Sequence, residues 1–153
     1  MMPVNRFFKT LAACLTLTVM LGSMIARADT VHIVALGDSL TAGYRLPAEQ
    51  AFPAQLERAL RDKGHDVKIA NAGVSGDTAS AGLERLSWAV PTGTDAVILQ
   101  LGANDALRGI QPEKTYEALT LIIAELKRRH IKVLIAGMKA PPNMGKDFVP
   151  VFN

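Results

Sequence analysis

The chain has almost no cysteine and no apolar run long enough to span a membrane. Its one cysteine, Cys14, lies in an apolar stretch at 11–25, which is shorter than the about 20 residues that a bilayer-spanning helix needs. Basic residues precede this stretch and small residues around Ala28 follow it, which is typical of a cleaved secretory signal peptide. The sequence therefore predicts a signal peptide at 1–28, a periplasmic or secreted protein, and no stable membrane anchor after cleavage.

The predicted mature chain, residues 29–153, lacks both cysteine and an excess of charge. Without cysteine it can form neither disulfide bonds nor thiolate metal sites, so its hydrophobic core alone has to stabilise it. Arg6, Lys9 and Arg27 lie in the predicted signal peptide and account for the whole excess of 17 basic over 14 acidic residues. A neutral chain gives no basis for binding nucleic acid, and its length suits one small domain.

Short apolar runs rich in valine, isoleucine and leucine recur along the mature chain, and each is nearly continuous rather than alternating. This pattern is typical of parallel strands that are covered by helices on both faces. The strands are predicted at 31–36, 67–72, 96–101 and 132–136. Because segments with helical spacing separate them, the sequence predicts a doubly wound α/β fold with a parallel sheet.

The helices between the strands are predicted from their apolar spacing and their stop signals. The first begins near Phe52 and ends before Gly64, the second covers 79–88 before Pro91, and the third covers 112–129. On the third helix the residues predicted to face the core are Tyr116, Leu119, Ile122, Ile123 and Leu126. Its basic C-terminal turn suits the helix dipole.

In a doubly wound sheet, ligands bind outside the carboxyl ends of the strands. The loop at 37–44 follows the first predicted strand and places Ser39 in a tight turn between glycines. Ser39 is a candidate nucleophile, because a helix that begins there would direct free N–H groups towards a developing oxyanion. The same pattern also fits a glycine-rich turn in which Ser39 only caps a helix.

Two further loops are predicted at the same edge of the sheet. Gly73 lies in the loop at 71–78, and its N–H, which no side chain obstructs, is a candidate oxyanion donor. Asn104 lies in the loop at 102–109, and its side-chain amide is a neutral donor. Each loop by itself resembles an ordinary turn. Together they follow successive strands in order, which would bring their donors to one cleft.

These motifs resemble the first sequence blocks of the GDSL or SGNH hydrolases. The matching residues are Gly-Asp-Ser-Leu at 37–40, Gly73 and Gly-Ala-Asn-Asp at 102–105. The run at 35–44 and Ser-Gly-Asp-Thr at 75–78 are most similar to the periplasmic arylesterase, thioesterase and lysophospholipase branch.

The resemblance implies a fold, a reaction and a site. The fold is a flavodoxin-like three-layer SGNH fold, and the reaction is hydrolysis through an acyl-serine intermediate on Ser39. The oxyanion hole comprises the N–H of Ser39, the N–H of Gly73 and the side chain of Asn104. The implied substrates are small acyl esters, thioesters or lysolipids, and no metal or organic cofactor is implied.

Histidine is scarce, and the implied mechanism needs one as a base beside the serine. The only histidines are His32, His65 and His130, and all three are predicted at the opposite edge of the sheet from Ser39. In the family, the acid and base come from one Asp-x-x-His motif near the C-terminus, beyond a fifth strand. No such motif follows the fourth predicted strand here.

We therefore expect the hydrolase domain at 29–153 to be incomplete at its C-terminus, without its last strand and helix. A further helix would begin near residue 146, and the chain as printed should have little activity. Two other readings remain open, namely a carbohydrate O-acetyl esterase and a catalytically inactive SGNH-like binding protein. A cytoplasmic receiver or flavodoxin-like module is disfavoured by the export signal.

Overall fold

The computed structural model of the protein describes residues 29–138. The signal peptide predicted at 1–28, the predicted C-terminal helix and the expected loss of a last strand and helix lie outside the described residues. Within the described range the strands are β1 (Val31–Gly37), β2 (Val67–Gly73), β3 (Ala96–Gln100) and β4 (Lys132–Ile135). They differ from the predicted strands by one residue at one end.

The strands form a parallel sheet in the order β2-β1-β3-β4. Gly37, at the end of β1, pairs with Gly73 of β2 on one side and with Gln100 of β3 on the other. The three strands that precede the predicted site loops therefore end side by side. The chain reverses its direction across the sheet between β1 and β3, which is the switch point where flavodoxin-like folds bind their ligands.

Helices cover both faces of the sheet, as the apolar runs predict. The structure contains α1 (Ser39–Ala42), α2 (Phe52–Asp62), α3 (Ala79–Glu84), α4 (Leu86–Ala89), α5 (Ala103–Leu107) and α6 (Pro112–Arg128), with a 3-10 turn at Ala48–Gln50. α2 packs against β2, whereas α3 packs against α6. Because right-handed crossovers in opposite directions place their helices on opposite faces, the fold has three layers.

The main core lies between the sheet and the layer formed by α3, α4 and α6. It contains buried residues of β1, β3 and these helices, among them Val34, Leu36, Val97, Leu99, Leu86, Val90, Ile122 and Leu126. The prediction that Tyr116 faces this core is wrong, because its side chain is 64% exposed. Thr115 takes the inward position instead, since its hydroxyl donates to the buried Asp105 carboxylate at 3.1 Å.

The second predicted helix differs from the observed one. The segment forms two short helices, α3 and α4, which meet at Arg85. Arg85 has φ −96° and ψ 3°, and its backbone N–H donates to Ala81 O, so the first helix ends there and the second begins. The break turns the Arg85 side chain towards the carboxyl edge of the sheet, where it contacts the ends of two strands.

The free edge of β2 is covered by side chains of α2. Glu57 Oε2 accepts a hydrogen bond from Ile69 N at 2.6 Å, and Arg61 Nε donates to Val67 O at 2.9 Å. The two side chains also form an ion pair at 3.2 Å. Unpaired edge groups would otherwise be free to pair with another chain. Two edge groups of β2, Val67 O and Ile69 N, are therefore paired within the protein.

Candidate active site

The turn that carries Ser39 is built by the residue before it. β1 ends at Gly37, and the completely buried Asp38 caps α1, since its Oδ1 accepts a hydrogen bond from Leu40 N at 2.9 Å. The capping residue is therefore Asp38 and not Ser39. Ser39 is the first residue of α1 and is half-buried, and no residue in the described part of the chain hydrogen-bonds to its hydroxyl. Asp38 thus supports the turn that carries Ser39.

α1 lies directly on the ends of β1 and β2, which explains two of the glycines. A Cβ atom at Gly37 would overlap Thr41 Oγ1 and lie 2.7 Å from Gln100 O, and one at Gly73 would overlap Ala42 N. Only glycine allows this close approach of helix and strands. Thr41 is also completely buried and donates to Gln100 Oε1 at 2.8 Å, which ties α1 to β3.

The N–H of Gly73, predicted as an oxyanion donor, lies at this edge beside α1. It donates to Asn71 Oδ1 at 3.0 Å, and Asn71 Nδ2 in turn donates to Ala42 O at 3.5 Å. An oxyanion bound by Gly73 would have to replace the Asn71 carboxamide oxygen as the acceptor. A negatively charged oxygen is a stronger acceptor than a neutral carboxamide, so it would compete well for this N–H.

The side chain of Asn104 joins the three loops. It projects from α5, and its Nδ2 donates to Asp77 O at 2.9 Å and lies 3.4 Å from Asp38 Oδ2. The loop after β3 is thereby connected to the loop after β2 and to the Ser39 turn. The structure thus brings the three predicted loops together at one edge.

Two buried ionic residues at the same edge were missed by the sequence reasoning. Arg85, only 6% exposed, forms an ion pair with Asp77 at 2.5 Å. Asp105 is 1% exposed and accepts from Ala79 N at 2.9 Å and from the Thr115 hydroxyl. A signal was present, because Arg85 stands between Leu83 and Leu86 in an apolar helical segment, where a charge needs a partner. Throughout residues 29–138, every buried side-chain nitrogen and oxygen is hydrogen-bonded.

The three histidines lie at the other edge of the sheet. His32 is near the start of β1, His65 precedes β2 and His130 precedes β4. At about 3.3 Å of rise per residue, the seven-residue β1 separates His32 from Ser39 by about 20 Å. None of the three can take a proton from Ser39 in this fold.

The Asp-x-x-His spacing itself does occur twice in the sequence, at Asp29 to His32 and at Asp62 to His65. Both copies lie at the amino edge of the sheet. The first ends at His32, the second residue of β1, and the second begins at Asp62, the last residue of α2. Neither reaches the Ser39 turn, so spacing without position is not enough to identify a base. Among residues 29–138 there is also no cluster of three histidine, cysteine or acidic residues that could hold a metal ion, and no helix long and apolar enough to cross a membrane.

Comparison with protein families shows to which family the chain belongs. The model of the GDSL-like lipase/acylhydrolase family matches residues 35–151, a range that includes all three loops. The chain belongs to this family. The family predicted from Gly-Asp-Ser-Leu, Gly73 and Asn104 is thereby confirmed.

Two named relatives match most of this chain. An arylesterase of Vibrio mimicus is 40% identical over 121 residues, which are 78% of this chain and 60% of that protein. The thioesterase 1/protease 1/lysophospholipase L1 of Escherichia coli K12 is 37% identical over 154 residues, which cover all of this chain and 71% of that protein. The chain thus spans less than two thirds of the arylesterase.

A solved structure of the GDSL family confirms the fold. AlinE4, described as an SGNH-hydrolase family esterase, is 44% identical and superposes with a TM-score of 0.76 over 82% of this chain and 68% of its own. Together with the β2-β1-β3-β4 order, this confirms the predicted flavodoxin-like SGNH fold.

Proposed function

We propose that the protein is a serine ester hydrolase of the arylesterase, thioesterase or lysophospholipase type, with Ser39 as its nucleophile. The observation that carries the proposal is the position of Ser39 on the first residue of α1, at the carboxyl end of β1, beside the loops of Gly73 and Asn104. The names of the relatives support the reaction class. The rigid turn around Ser39 supports its role, because a nucleophile has to be held in one orientation.

In the proposed reaction, Ser39 Oγ forms a bond to the acyl carbon of the substrate while its proton moves to a base. The carbonyl π electrons move to the oxygen, and the N–H groups of Ser39 and Gly73 and the Asn104 amide stabilise the negative charge. Collapse of this intermediate expels the alcohol or thiol, which takes up the proton, and leaves an acyl-serine. Water then releases the acid by the same steps.

The base of this reaction has to come from outside residues 29–138. All three histidines of the chain lie at the amino edge of the sheet, and Asp38 is engaged with Leu40 N and the Asn104 amide. The Asp-x-x-His motif implied by the resemblance remains a prediction.

An apolar acyl group suits the surface around the proposed nucleophile. Leu40 follows Ser39, Val74 follows Gly73, and Leu107 ends the helix of Asn104; their side chains are 60%, 41% and 72% exposed. Exposed apolar residues in each of three converging loops favour an apolar ligand. This observation suits the acyl chain of acyl esters, thioesters or lysolipids.

The test uses the protein made from its complete reading frame. We expect it to hydrolyse p-nitrophenyl acetate, an acyl-CoA thioester or lysophosphatidylcholine, and Ser39→Ala to lower kcat by about 10³-fold or more, as loss of a catalytic serine does. Circular dichroism checks that the variant is folded. Unchanged turnover in Ser39→Ala would reject the proposal, activity on acetylated xylan alone would favour the carbohydrate esterase, and inactive wild-type protein would favour a binding protein.

We also propose that the protein is exported and cleaved after Ala28. The basic N-terminus, the apolar stretch at 11–25 and the small residues before Asp29 support this. N-terminal sequencing of the protein from a periplasmic or culture-medium fraction should begin at Asp29. Uncleaved protein confined to the cytoplasm would contradict it.

A further inference from the structure

One buried guanidinium contacts the ends of two strands and one loop beside Ser39. Arg85 Nη2 donates to Gly37 O at 3.0 Å and to Ala72 O at 2.9 Å, and its Nε donates to Asp77 Oδ2 at 2.5 Å. Its Cζ also lies 5.9 Å from the centre of the Trp88 ring, which covers it from the side of α4. The side chain is therefore fixed by contacts on several sides.

The contact with Ala72 O acts directly on the Gly73 N–H. The two atoms belong to the same peptide group, which is planar and trans, so that its C=O and N–H point in opposite directions. Holding Ala72 O fixes the plane and hence the direction of the Gly73 N–H. The positive charge of the guanidinium beside the Ala72 carbonyl also polarises the peptide group, which makes the Gly73 N–H a better donor.

The contact with Gly37 O acts on the Ser39 turn one peptide before the N–H of Ser39. Gly37 O shares a peptide group with the N–H of Asp38, the residue that caps α1. Val74 N also donates to Gly37 O at 3.0 Å. Arg85 thus holds the last peptide of β1 beside the loop that follows β2. Because α1 begins directly after this peptide, the contact also holds the start of the helix that carries Ser39.

The ion pair extends this support to Asn104. Arg85 holds the carboxylate of Asp77, and the backbone carbonyl of Asp77 accepts the hydrogen bond from Asn104 Nδ2 at 2.9 Å. Arg85 is therefore connected to Gly73 and to Asn104 through one intervening residue each, and to Ser39 through two.

We propose that Arg85 is a positioning residue that aligns the proposed oxyanion hole. The inference rests on the proposed function and adds to it a residue outside the three family motifs. The ion pair by itself gives little reason for an arginine here, because a buried ion pair gains little over apolar residues of similar volume. Alignment does account for it, since its planar fork can hold several acceptors in a fixed geometry.

The test compares Arg85→Met with Arg129→Met in the protein from its complete reading frame. Arg129 is a matched control, because its Nη2 also holds two backbone carbonyls, Val90 O at 2.6 Å and Pro91 O at 3.2 Å, but at the amino edge. Loss of an interaction made in the transition state lowers kcat and kcat/KM together. We expect Arg85→Met to lower kcat with p-nitrophenyl acetate by about 10- to 10²-fold, with KM within about twofold, as misaligned donors do.

A second readout separates alignment from folding. Boronic acids and trifluoromethyl ketones form tetrahedral adducts that need the oxyanion hole. Arg85→Met should therefore lower the binding affinity of these inhibitors by the same factor as it lowers kcat. Arg129→Met should change neither quantity. Arg85→Lys should fall between wild type and Arg85→Met, because a lysine cannot reproduce the bidentate fork. If Arg85→Met does not fold, Asp77→Asn tests the same support.

The outcomes distinguish the two proposals. Full activity in Ser39→Ala would reject the proposed function, whatever Arg85 does. Loss of activity in Ser39→Ala together with an unchanged kcat and inhibitor affinity in folded Arg85→Met would reject the positioning role alone. Equal losses of kcat in Arg85→Met and Arg129→Met would also reject it, because both would then reflect general destabilisation.

Discussion

The two edges of the sheet use similar polar residues in different ways. At the carboxyl edge Asp38, Arg85 and Asp105 are buried and hydrogen-bonded to backbone groups of the helices and strands that meet there. At the amino edge Asp95 and the three histidines are exposed. Asp95 also accepts a backbone hydrogen bond, from His32 N at 2.7 Å, but does so in contact with water.

The difference lies in how firmly each edge holds its polar groups. A buried polar group is costly unless it is fully hydrogen-bonded, so a buried network fixes one arrangement of the loops. Donors held in one arrangement need little reorganisation when charge develops, which is what an oxyanion hole requires. Exposed polar groups at the amino edge impose no such order.

Among the substitutions that compare the two edges, the largest effect is expected from Asn104→Ala at the carboxyl edge. Removing one oxyanion donor should cost about 2.7 to 4 kcal/mol of transition-state stabilisation, or about 10²- to 10³-fold in kcat. Steady-state kinetics with p-nitrophenyl acetate measures this. The amino-edge control is the set of single variants His32→Gln, His65→Gln and His130→Gln, each of which should keep kcat within about twofold, since it touches no reacting group. A histidine variant as inactive as Asn104→Ala would overturn the comparison.

A smaller effect on stability is expected from Asp105→Ala. The substitution leaves Ala79 N and the buried Thr115 hydroxyl without their acceptor. Each unsatisfied group should lower the free energy of unfolding by about 1 to 3 kcal/mol. Urea unfolding measures the change.

Asp95→Ala is the matched substitution at the amino edge. It removes the acceptor of His32 N, but water can replace this acceptor. The free energy of unfolding should therefore change by no more than about 0.5 kcal/mol. Equal losses of unfolding free energy in Asp105→Ala and Asp95→Ala would contradict the view that burial distinguishes the polar groups of the two edges.

The smallest effect is expected from Arg128→Met near the end of α6. Arg128 donates to both carboxylate oxygens of Glu125, at 2.7 and 2.8 Å, a geometry as good as that of the buried Arg85–Asp77 pair. Its hydrogen bond lowers the pKa of Glu125, so the variant should raise that pKa towards its ordinary value, which an NMR titration of the carboxyl carbon measures.

A lowered pKa stabilises the fold above the unfolded-state pKa and loses that contribution as the pH falls through the folded-state value. Because the pair is exposed, solvent screens it and the melting temperature of Arg128→Met should match that of wild type at neutral pH. A clear loss of stability at pH 7 that disappears in acid would contradict this.

Much of the fold and of the site could be predicted from the sequence. Continuous apolar runs located the strands to within one residue, and the glycine-rich loops after them located Ser39, Gly73 and Asn104 at one edge. These features depend on local patterns, which a single sequence contains.

The supporting contacts could not be predicted, because they depend on distant partners. Arg85 binds carbonyls that lie 13 and 48 residues away, and only the crossover topology brings them together. The exposure of Tyr116 could not be predicted either, because the buried face of α6 includes its neighbour Thr115 instead. Apolar spacing alone favoured the larger side chain.

The most direct test of the account is to trap the acyl intermediate. The protein from its complete reading frame is mixed with p-nitrophenyl acetate, quenched in acid during the first turnover, digested and analysed by mass spectrometry. We predict a single acetyl group on the peptide that contains Ser39, and none on that peptide in Ser39→Ala. Acetylation of a different residue in a hydrolysing protein, with Ser39 unmodified, would contradict Ser39 as the nucleophile.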